Sequence, residues 1–304
     1  MIEERPNAQA AHQEILRCPT CLGALGRSQS MLRCSTCELE YPIRNGQADL
    51  RLQKPKSYDL QFEIDGSIDP LSTLEFGIEP NPFPAVDWSA WDEYPARFNE
   101  TLASHVPAPT SSDARALDLG CGTAIHRPIC EHAGYEWVGI DIDSEEASVL
   151  GDIQALPFED DSFEFVLALG LLHLASNPFV MLEEVNRVSK PGATLIGTVG
   201  FLEPSGAYNH YHYAPRAVFH SLETAGFEID GVDEMGWHGL EAITRLGLFP
   251  SVPEPILSVP VSLIEWAHRQ WYRVGHLVTG HYRASEEYRR MSTTGSFSFV
   301  AHSQ

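Results

Sequence analysis

Ala116-Leu117-Asp118-Leu119-Gly120-Cys121-Gly122-Thr123 is a short apolar run that leads into a turn with two glycines. The apolar residues predict a buried strand. Glycines after a strand let the backbone approach a ligand closely and open a helix. A dinucleotide site would require a third glycine, and its position is occupied by Ile125. The stretch therefore predicts a ligand-binding turn in an α/β protein, without the dinucleotide fingerprint.

A second strand-like run follows the glycine turn and ends in an acid. It covers Trp137 to Asp141, and Asp141 comes nineteen residues after Gly122. A carboxylate in this place can accept hydrogen bonds from both ribose hydroxyls of a nucleotide-like ligand. The alternative role is a helix N-cap, for which Asp143 or Ser144 is better placed. Residues 111–232 continue to alternate strand and helix patterns, which is typical of a parallel sheet.

Three further segments follow in order: Gly151-Asp152-Ile153-Gln154-Ala155-Leu156-Pro157-Phe158, then Ser162 to His173, then Val188 to Ala193 with Lys190-Pro191-Gly192. Together with the D-x-G-x-G turn, they resemble class I S-adenosylmethionine (SAM)-dependent methyltransferases of the type 11-like group, over roughly residues 114–230. The resemblance implies a Rossmann-like sheet with helices on both faces. Only residues 143–150 separate the second strand from Gly151, as in a shortened subgroup.

The resemblance also implies which residues hold SAM. Asp141 would bind the ribose, Asp152 would accept from the adenine amino group, and Ile153 would lie on the ring. The expected cofactor-binding residues are Asp118, Gly120, Cys121, Gly122, Asp141, Ile142, Asp152, Ile153 and Leu169. A nucleophilic role for Cys121 is the less favoured alternative, because no partnered base is evident. Cys130 is interpreted as a core residue.

Four other cysteines lie near the N-terminus in two C-x-x-C pairs. Cys18 and Cys21 form the first pair, and Cys34 and Cys37 form the second, twelve residues later. Two such pairs on a hairpin supply the tetrahedral sulfur ligands that structural zinc prefers. Redox disulfides or unliganded thiols are the alternatives. Glu40 to Gly46 resembles the Trm112-like zinc ribbon, a ribbon type that also precedes some rRNA methyltransferases.

The charge is strongly negative and uneven. The chain of 304 residues has a net charge of −22; residues 1–57 carry +2, and the remainder carries −24. Nucleic-acid binders neutralise phosphates with basic surface, so the charge disfavours a nucleic-acid substrate. We therefore expect a small-molecule acceptor. An rRNA or tRNA methyltransferase that uses the ribbon is the first alternative, and a SAM-binding, catalytically silent partner protein is the second.

The sequence suggests four parts. They are a zinc ribbon at 12–52, an acidic, aromatic-rich linker or lid at 53–110, a SAM-binding domain at 111–232 and a C-terminal helical extension at 233–304. The extension contains a predicted helix from Val261 to Val278, whose apolar residues we expect to pack on the core; a dimer contact or a lid is the alternative. The N-terminus lacks a signal-peptide pattern, and no apolar run is long enough to span a bilayer. We therefore expect a cytoplasmic protein with no membrane partner. A homodimer is possible.

Three histidines are candidate catalytic bases for a hydroxyl acceptor. His173, His210 and His212 are each predicted just beyond the end of a strand of the cofactor-binding sheet. Ligands bind at these ends in open α/β sheets. The alternative for each is a surface residue or a hydrogen-bonded core residue. The family's second histidine in the turn after His173 is replaced by Leu174, so no role is transferred to that position.

Overall fold

The computed structural model describes residues 12–60, 76–202, 209–238, 252 and 254–304. In these residues, eleven strands form one continuous sheet. The strands are β1 Leu25–Arg27, β2 Met31–Cys34, β3 Glu40–Arg44, β4 Gln47–Asp49, β5 Arg115–Leu119, β6 Glu136–Asp141, β7 Val149–Leu150, β8 Phe163–Leu169, β9 Ser189–Gly200, β10 Phe227–His238 and β11 Thr294–Ser303. The helices are α1 Glu100–Ser104, α2 Arg127–Ala133, α3 Pro178–Val188, α4 Pro215–Thr224, α5 Glu254–Thr279 and α6 Glu286–Thr293.

The central part of the sheet has the strand order β7-β6-β5-β8-β9-β11-β10. Neighbours from β7 to β9 pair in parallel, and β11 runs antiparallel to both β9 and β10. This arrangement confirms the predicted Rossmann-like methyltransferase sheet. Because strand side chains alternate, β5 contributes Leu117 to one hydrophobic cluster and Ala116 to the other. Helices α3 and α4 pack in the first cluster and α1 and α2 in the second, which places helices on both faces.

The N-terminal ribbon extends this sheet instead of standing apart from it. Its strands β1 to β4 pair antiparallel in sequence order, and β4 then pairs in parallel with β7, with Ala48 opposite Val149. Leu50, Tyr41 and Leu16 of the N-terminal part are buried in the same cluster as Leu156 and Phe158. The ribbon thus covers an edge that would otherwise expose unpaired backbone groups.

The acidic, aromatic-rich segment is described over residues 53–60 and 76–110, and the aromatic rings of the second part are packed together. Trp88 contacts Trp91 and Phe98, and it also contacts His132 near the end of α2, at a ring distance of 4.8 Å. The rings therefore lie mainly against α2. Near the end of the segment, Arg97 reaches the carboxyl edge of the parallel strands, where it meets Gly170.

The C-terminal part differs from the expected division at residue 232. That boundary falls inside β10, which continues to His238, and residues 294–303 form the strand β11 between β9 and β10. The helical segment is therefore an insertion between the last two strands, and the sheet domain extends to Ser303. Strand pairing between distant residues decides this boundary, and a local hydrophobic pattern does not reveal such pairing.

The predicted helix at 261–278 is present as the longer α5, but the expectation that it packs on the core is wrong. In this stretch Ile264, Trp271, Val274 and Val278 are between 47% and 78% exposed, and Ala267 is also exposed. Val261, the first residue of the predicted helix, is buried. Among the described residues, no helix combines the length and apolar character that crossing a membrane requires.

Candidate cofactor site and zinc centre

The glycine turn predicted from the sequence lies between β5 and α2. Gly120 has φ +62° and Gly122 has φ +51°. These values lie in the left-handed region, in which a residue with a side chain is strained. A Cβ added to Gly120 would lie 2.6 Å from Cδ1 of Leu171. The Cys121 N–H donates to the Ile140 carbonyl at 3.1 Å, which fixes the turn against β6. Glycine is therefore favoured at position 120 by the backbone conformation, and a larger residue would also have to displace the end of the Leu171 side chain.

Asp141 ends β6 directly beside this turn. Its Oδ2 accepts from the Gly122 N–H at 3.0 Å, and its Oδ1 accepts from the Asp143 N–H at 2.9 Å. The Ser144 hydroxyl donates to the Gly122 carbonyl and ties the same loop to the turn. The half-buried carboxylate is thus held at the rim of the glycine turn, where a ribose bound along the turn would meet it.

The remaining predicted cofactor residues follow along the same edge of the sheet. Asp152 comes after β7, and its Oδ1 accepts from the Gln154 N–H at 2.8 Å. Ile142 is 54% exposed, Ile153 is half-buried, and Leu169 ends β8. Because β7, β6, β5 and β8 are neighbours in the sheet, their carboxyl ends place these residues in one row. The arrangement offers carboxylates for hydroxyl and amino groups beside apolar side chains for a ring.

Asp118 and Cys121 lie beneath this row. Asp118 is 1% exposed and its Oδ2 accepts from the Trp137 indole N–H at 3.1 Å. Burial raises the pKa of Asp118 to about 7, partly opposed by that hydrogen bond. Burial also raises the pKa of the Cys121 thiol, and the nearby Asp118 and Asp141 charges add to the effect. A protonated, buried thiol suits packing under the turn better than nucleophilic attack.

The three candidate histidines have different environments. His173 is 3% exposed; its Nδ1 accepts from the Gly200 N–H at 3.2 Å, and its carbonyl accepts from the N–H groups of His210 and Tyr211. His173 therefore anchors the 209–213 segment. The exposed His212 places its Nδ1 2.6 Å from the Phe201 carbonyl, which can only accept, so Nδ1 carries the proton and Nε2 is the acceptor nitrogen. His210 is exposed on the same segment. Tyr208, just before this segment, lies outside the described residues.

Sequence reasoning missed Arg97. Its side chain lies against Gly170 at the end of β8, where a Cβ on the glycine would be 2.8 Å from Arg97 Cδ. The His126 ring contacts the Ala96 carbonyl at 2.9 Å and holds the neighbouring backbone. Arg97 is the only Lys or Arg in residues 58–110, which is the sequence signal that could have found it. The structure thus places a cation at the β8 end of this edge.

Two residues at the end of the ribbon hold the loop that follows Asp141. The Gln47 amide donates to the carbonyls of Ser144 and Ala147 at 2.9 and 2.6 Å. Arg51 forms a bidentate pair with Asp49 and donates to the Ile142 carbonyl at 3.4 Å. Sequence reasoning missed these contacts because the partners are about a hundred residues apart. They connect the metal-binding part of the chain to the cofactor site.

The segment just after the ribbon borders Asp152. The Tyr58 hydroxyl donates to the Gln154 carbonyl at 2.5 Å, and the Lys56 ammonium lies 4.7 Å from the centre of the Tyr58 ring. With Asp152 and Val180, these residues line a groove of about 510 Å³. The segment was predicted as a linker or lid, and its first residues form one wall of the Asp152 end of the site.

The four N-terminal cysteines converge, as their spacing predicted. Their Sγ atoms all lie within 4.8 Å of one another, with 3.6 Å between Cys18 and Cys37 and 3.5 Å between Cys21 and Cys34. Zinc–sulfur bonds of about 2.3 Å in a tetrahedron imply sulfur separations of about 3.8 Å. The Thr36 and Cys37 N–H groups point at Cys34 Sγ, each at 3.4 Å, as donors to a thiolate do. The cluster therefore fits a closed, structural zinc site, and none of the four cysteines forms a disulfide.

Purified protein should contain one zinc ion per chain. Four converging thiols supply a complete set of ligands, so no position remains open for substrate and the ion should resist dialysis. Elemental analysis of untagged protein, prepared without added metal, tests this. Metal-free protein with a Cys18–Cys21 disulfide would contradict it.

Comparisons with known proteins agree with both parts of the site. Residues 117–197 match the model of a methyltransferase domain, and residues 11–46 match that of a Trm112p-like protein. An uncharacterized protein of Methanocaldococcus jannaschii is 32% identical over 107 residues, 32% of this chain and 47% of that protein. Sterol 24-C-methyltransferase of Schizosaccharomyces pombe is 28% identical over 156 residues, 44% of this chain and 39% of that enzyme. The chain thus spans less than half the length of these curated relatives.

Solved structures with a similar trace include a chain from the complex of the Haloferax volcanii Trm112 methyltransferase activator, at 18% identity and a TM-score of 0.42. The match covers 66% of this chain and 86% of that one. A SAM-dependent methyltransferase from Archaeoglobus fulgidus is 17% identical with a TM-score of 0.40, covering 62% and 86%.

The strand order, the glycine turn and the row of acidic residues define the class: this is a SAM-dependent methyltransferase fold of class I. More specifically, the chain carries a type 11-like methyltransferase domain, to which a Trm112-like zinc ribbon is joined at the N-terminus.

Proposed function

We propose that this chain transfers a methyl group from SAM to a small or medium-sized neutral acceptor. The observation that carries the proposal is the row formed by the glycine turn, Asp141 and Asp152 at the carboxyl edge of adjacent strands. SAM supplies an activated methyl group on a sulfonium. The protein therefore has to bind and orient SAM and the acceptor, and to exclude water. The residues suited to binding SAM all lie at the carboxyl edge of the parallel strands.

Each part of the row suits one part of SAM. Asp141 would accept from the ribose hydroxyls and Asp152 from the adenine amino group, with Ile142 and Ile153 beside the ring. Arg97, beside Gly170, is a cation suited to the carboxylate of the methionine part. Asp118 supports the turn from below through Trp137.

The acceptor would lie beyond β8 and β9, next to the 209–213 segment. If the acceptor is a hydroxyl, His212 is the best-placed base, because its Nδ1 is engaged with the Phe201 carbonyl and its Nε2 is left as the acceptor nitrogen. His173 would orient the segment through its backbone, and Tyr211, 43% exposed, would provide an aromatic surface for the acceptor.

A neutral acceptor follows from the charge. Residues 58–304 carry a net −24, which repels a polyanion. The Trm112-like ribbon is the one observation that favours RNA or protein as substrate, and with only +2 over residues 1–57 it does not offset the acidic remainder.

Purified protein incubated at low salt with methyl-labelled SAM should transfer label to a component of a metabolite extract from the source organism, and not to total RNA. Label in RNA, with incorporation that falls steeply as salt rises, would establish the RNA alternative. SAM binding measured by calorimetry without any transfer, to either material, would favour the silent partner protein.

A further inference from the structure

Most of the exposed large apolar side chains among the described residues belong to α5, and many lie on one face, which we call its outer face. It comprises Leu263, Trp266, Trp271, Val274, Leu277 and Val278, which are 55–84% exposed. At 100° per residue, these positions span roughly 140° of the helix circumference. On the opposite side, Arg269 approaches Glu286 of α6 at 3.9 Å, and His268 and Tyr272 are half-buried. The helix therefore contacts α6 on one side and exposes its outer face to solvent on the other.

This helix is attached at the edge of the sheet that carries the cofactor site. The parallel strand β10 ends at His238 and the antiparallel strand β11 begins at Thr294, so the insertion between them leaves and rejoins the sheet at the carboxyl edge of the parallel strands. The outer face of α5 is thus on a part of the molecule that extends from the active-site side.

The charge around the outer face is opposite in sign to the net charge of the whole chain. Residues 255–285 contain a single carboxylate, Glu265, which accepts from Arg269 at 3.2 Å. Arg273 and Arg283 are exposed, as are His276 and His281. With three arginines and one glutamate, the segment has a net charge of +2 in a chain of −22. Such a segment is attracted to an anionic surface.

A second copy of the chain fits this face poorly. An apolar span of roughly 140° is wider than the narrow seam of a coiled-coil pair. Pairing through the outer face would also bring exposed arginines of two copies together without an exposed carboxylate in the segment to neutralise them. Exposed tryptophans beside basic residues are instead typical of helices that lie in the membrane interface.

We propose that α5 docks this protein onto a bilayer that contains anionic lipids, with its outer face inserted at the headgroup level. The expectation of no membrane partner rested on the lack of a spanning run, which excludes a helix through the bilayer but not one lying in its surface. The proposal rests on the exposed face and its charge, and does not depend on methyl transfer.

Vesicle sedimentation tests it with the full chain. The wild type should bind phosphatidylcholine vesicles that contain phosphatidylglycerol, and should bind pure phosphatidylcholine vesicles more weakly. Binding to the anionic vesicles should also fall as salt rises, because the headgroup attraction is screened. Trp271→Asp and Leu263→Asp should each lower the partition onto anionic vesicles at least tenfold.

Phe83→Asp is the matched control, because Phe83 is 86% exposed on a different part of the molecule. It should keep wild-type binding, and all three variants should keep wild-type zinc content and SAM affinity. The proposal is overturned if the wild type does not sediment with anionic vesicles, or if Trp271→Asp and Leu263→Asp bind as the wild type does. It is also overturned if sedimentation velocity shows a dimer that Trp271→Asp dissociates while vesicle binding persists.

Discussion

Replacing Cys34 with serine should remove zinc from the protein and lower the unfolding temperature of the whole chain, not of the ribbon alone. Cys34 is 1% exposed at the centre of the sulfur cluster and receives two backbone N–H groups. The ribbon and the methyltransferase domain share a hydrophobic cluster and are joined through β4 and β7. Loss of the ribbon therefore exposes a sheet edge and part of the core together.

The expected effect is large. Structural zinc contributes about 10–16 kcal/mol of apparent binding free energy in zinc-finger peptides, which is comparable to the whole free energy of unfolding of a domain, about 5–15 kcal/mol. We expect the unfolding temperature to fall by at least about 10 °C. Differential scanning calorimetry combined with elemental analysis measures both quantities.

Cys130→Ala provides the control, because it removes a fully buried thiol of the methyltransferase domain and touches no metal ligand. It should retain zinc and lose much less stability. A chelator should reproduce the Cys34→Ser result and also weaken SAM binding, because Gln47 holds the loop after Asp141. Two separate unfolding transitions, with the second unchanged in Cys34→Ser, would show that the ribbon and the domain are independent.

Asp141→Ala should lower SAM affinity at least about tenfold. Loss of a bidentate, charge-assisted contact to the ribose costs about 1.5–3 kcal/mol, and 1.4 kcal/mol corresponds to a tenfold change in affinity. The substitution also removes the acceptor for the Gly122 N–H, so the glycine turn loses a hydrogen bond in the free protein. Isothermal titration calorimetry with SAM measures the change.

Asp141→Asn separates the two contributions. An asparagine retains an oxygen for the Gly122 N–H and lacks the charge, so its affinity should fall between those of the wild type and the alanine variant. Asp143→Ala is the matched control, since it removes an exposed carboxylate two residues away. Equal SAM affinity for Asp141→Ala and the wild type would mean that the cofactor is placed wrongly.

Features that depend on neighbouring residues were predictable. The spacing of the cysteine pairs fixes where four thiols can converge, and the structure brings them within 4.8 Å. The run from Ala116 to Gly122 determines a strand and a turn, because apolar side chains and two glycines leave few alternatives. The row from Asp141 to Leu169 also follows once the strands are taken to be parallel, since their carboxyl ends then share one edge.

Tertiary structure alone decided the contacts between residues far apart in sequence. The pairing of β4 with β7, the hydrogen bonds of Gln47 to the cofactor loop and the position of Arg97 beside Gly170 all depend on distant segments. The same applies to β11, whose place between β9 and β10 turned a predicted extension into an insertion. The apolar pattern of residues 261–278 specified a helix, but a pattern states only that a face is apolar. Whether that face is buried depends on which surface lies opposite it, and among the described residues only one side of α5 has such a surface.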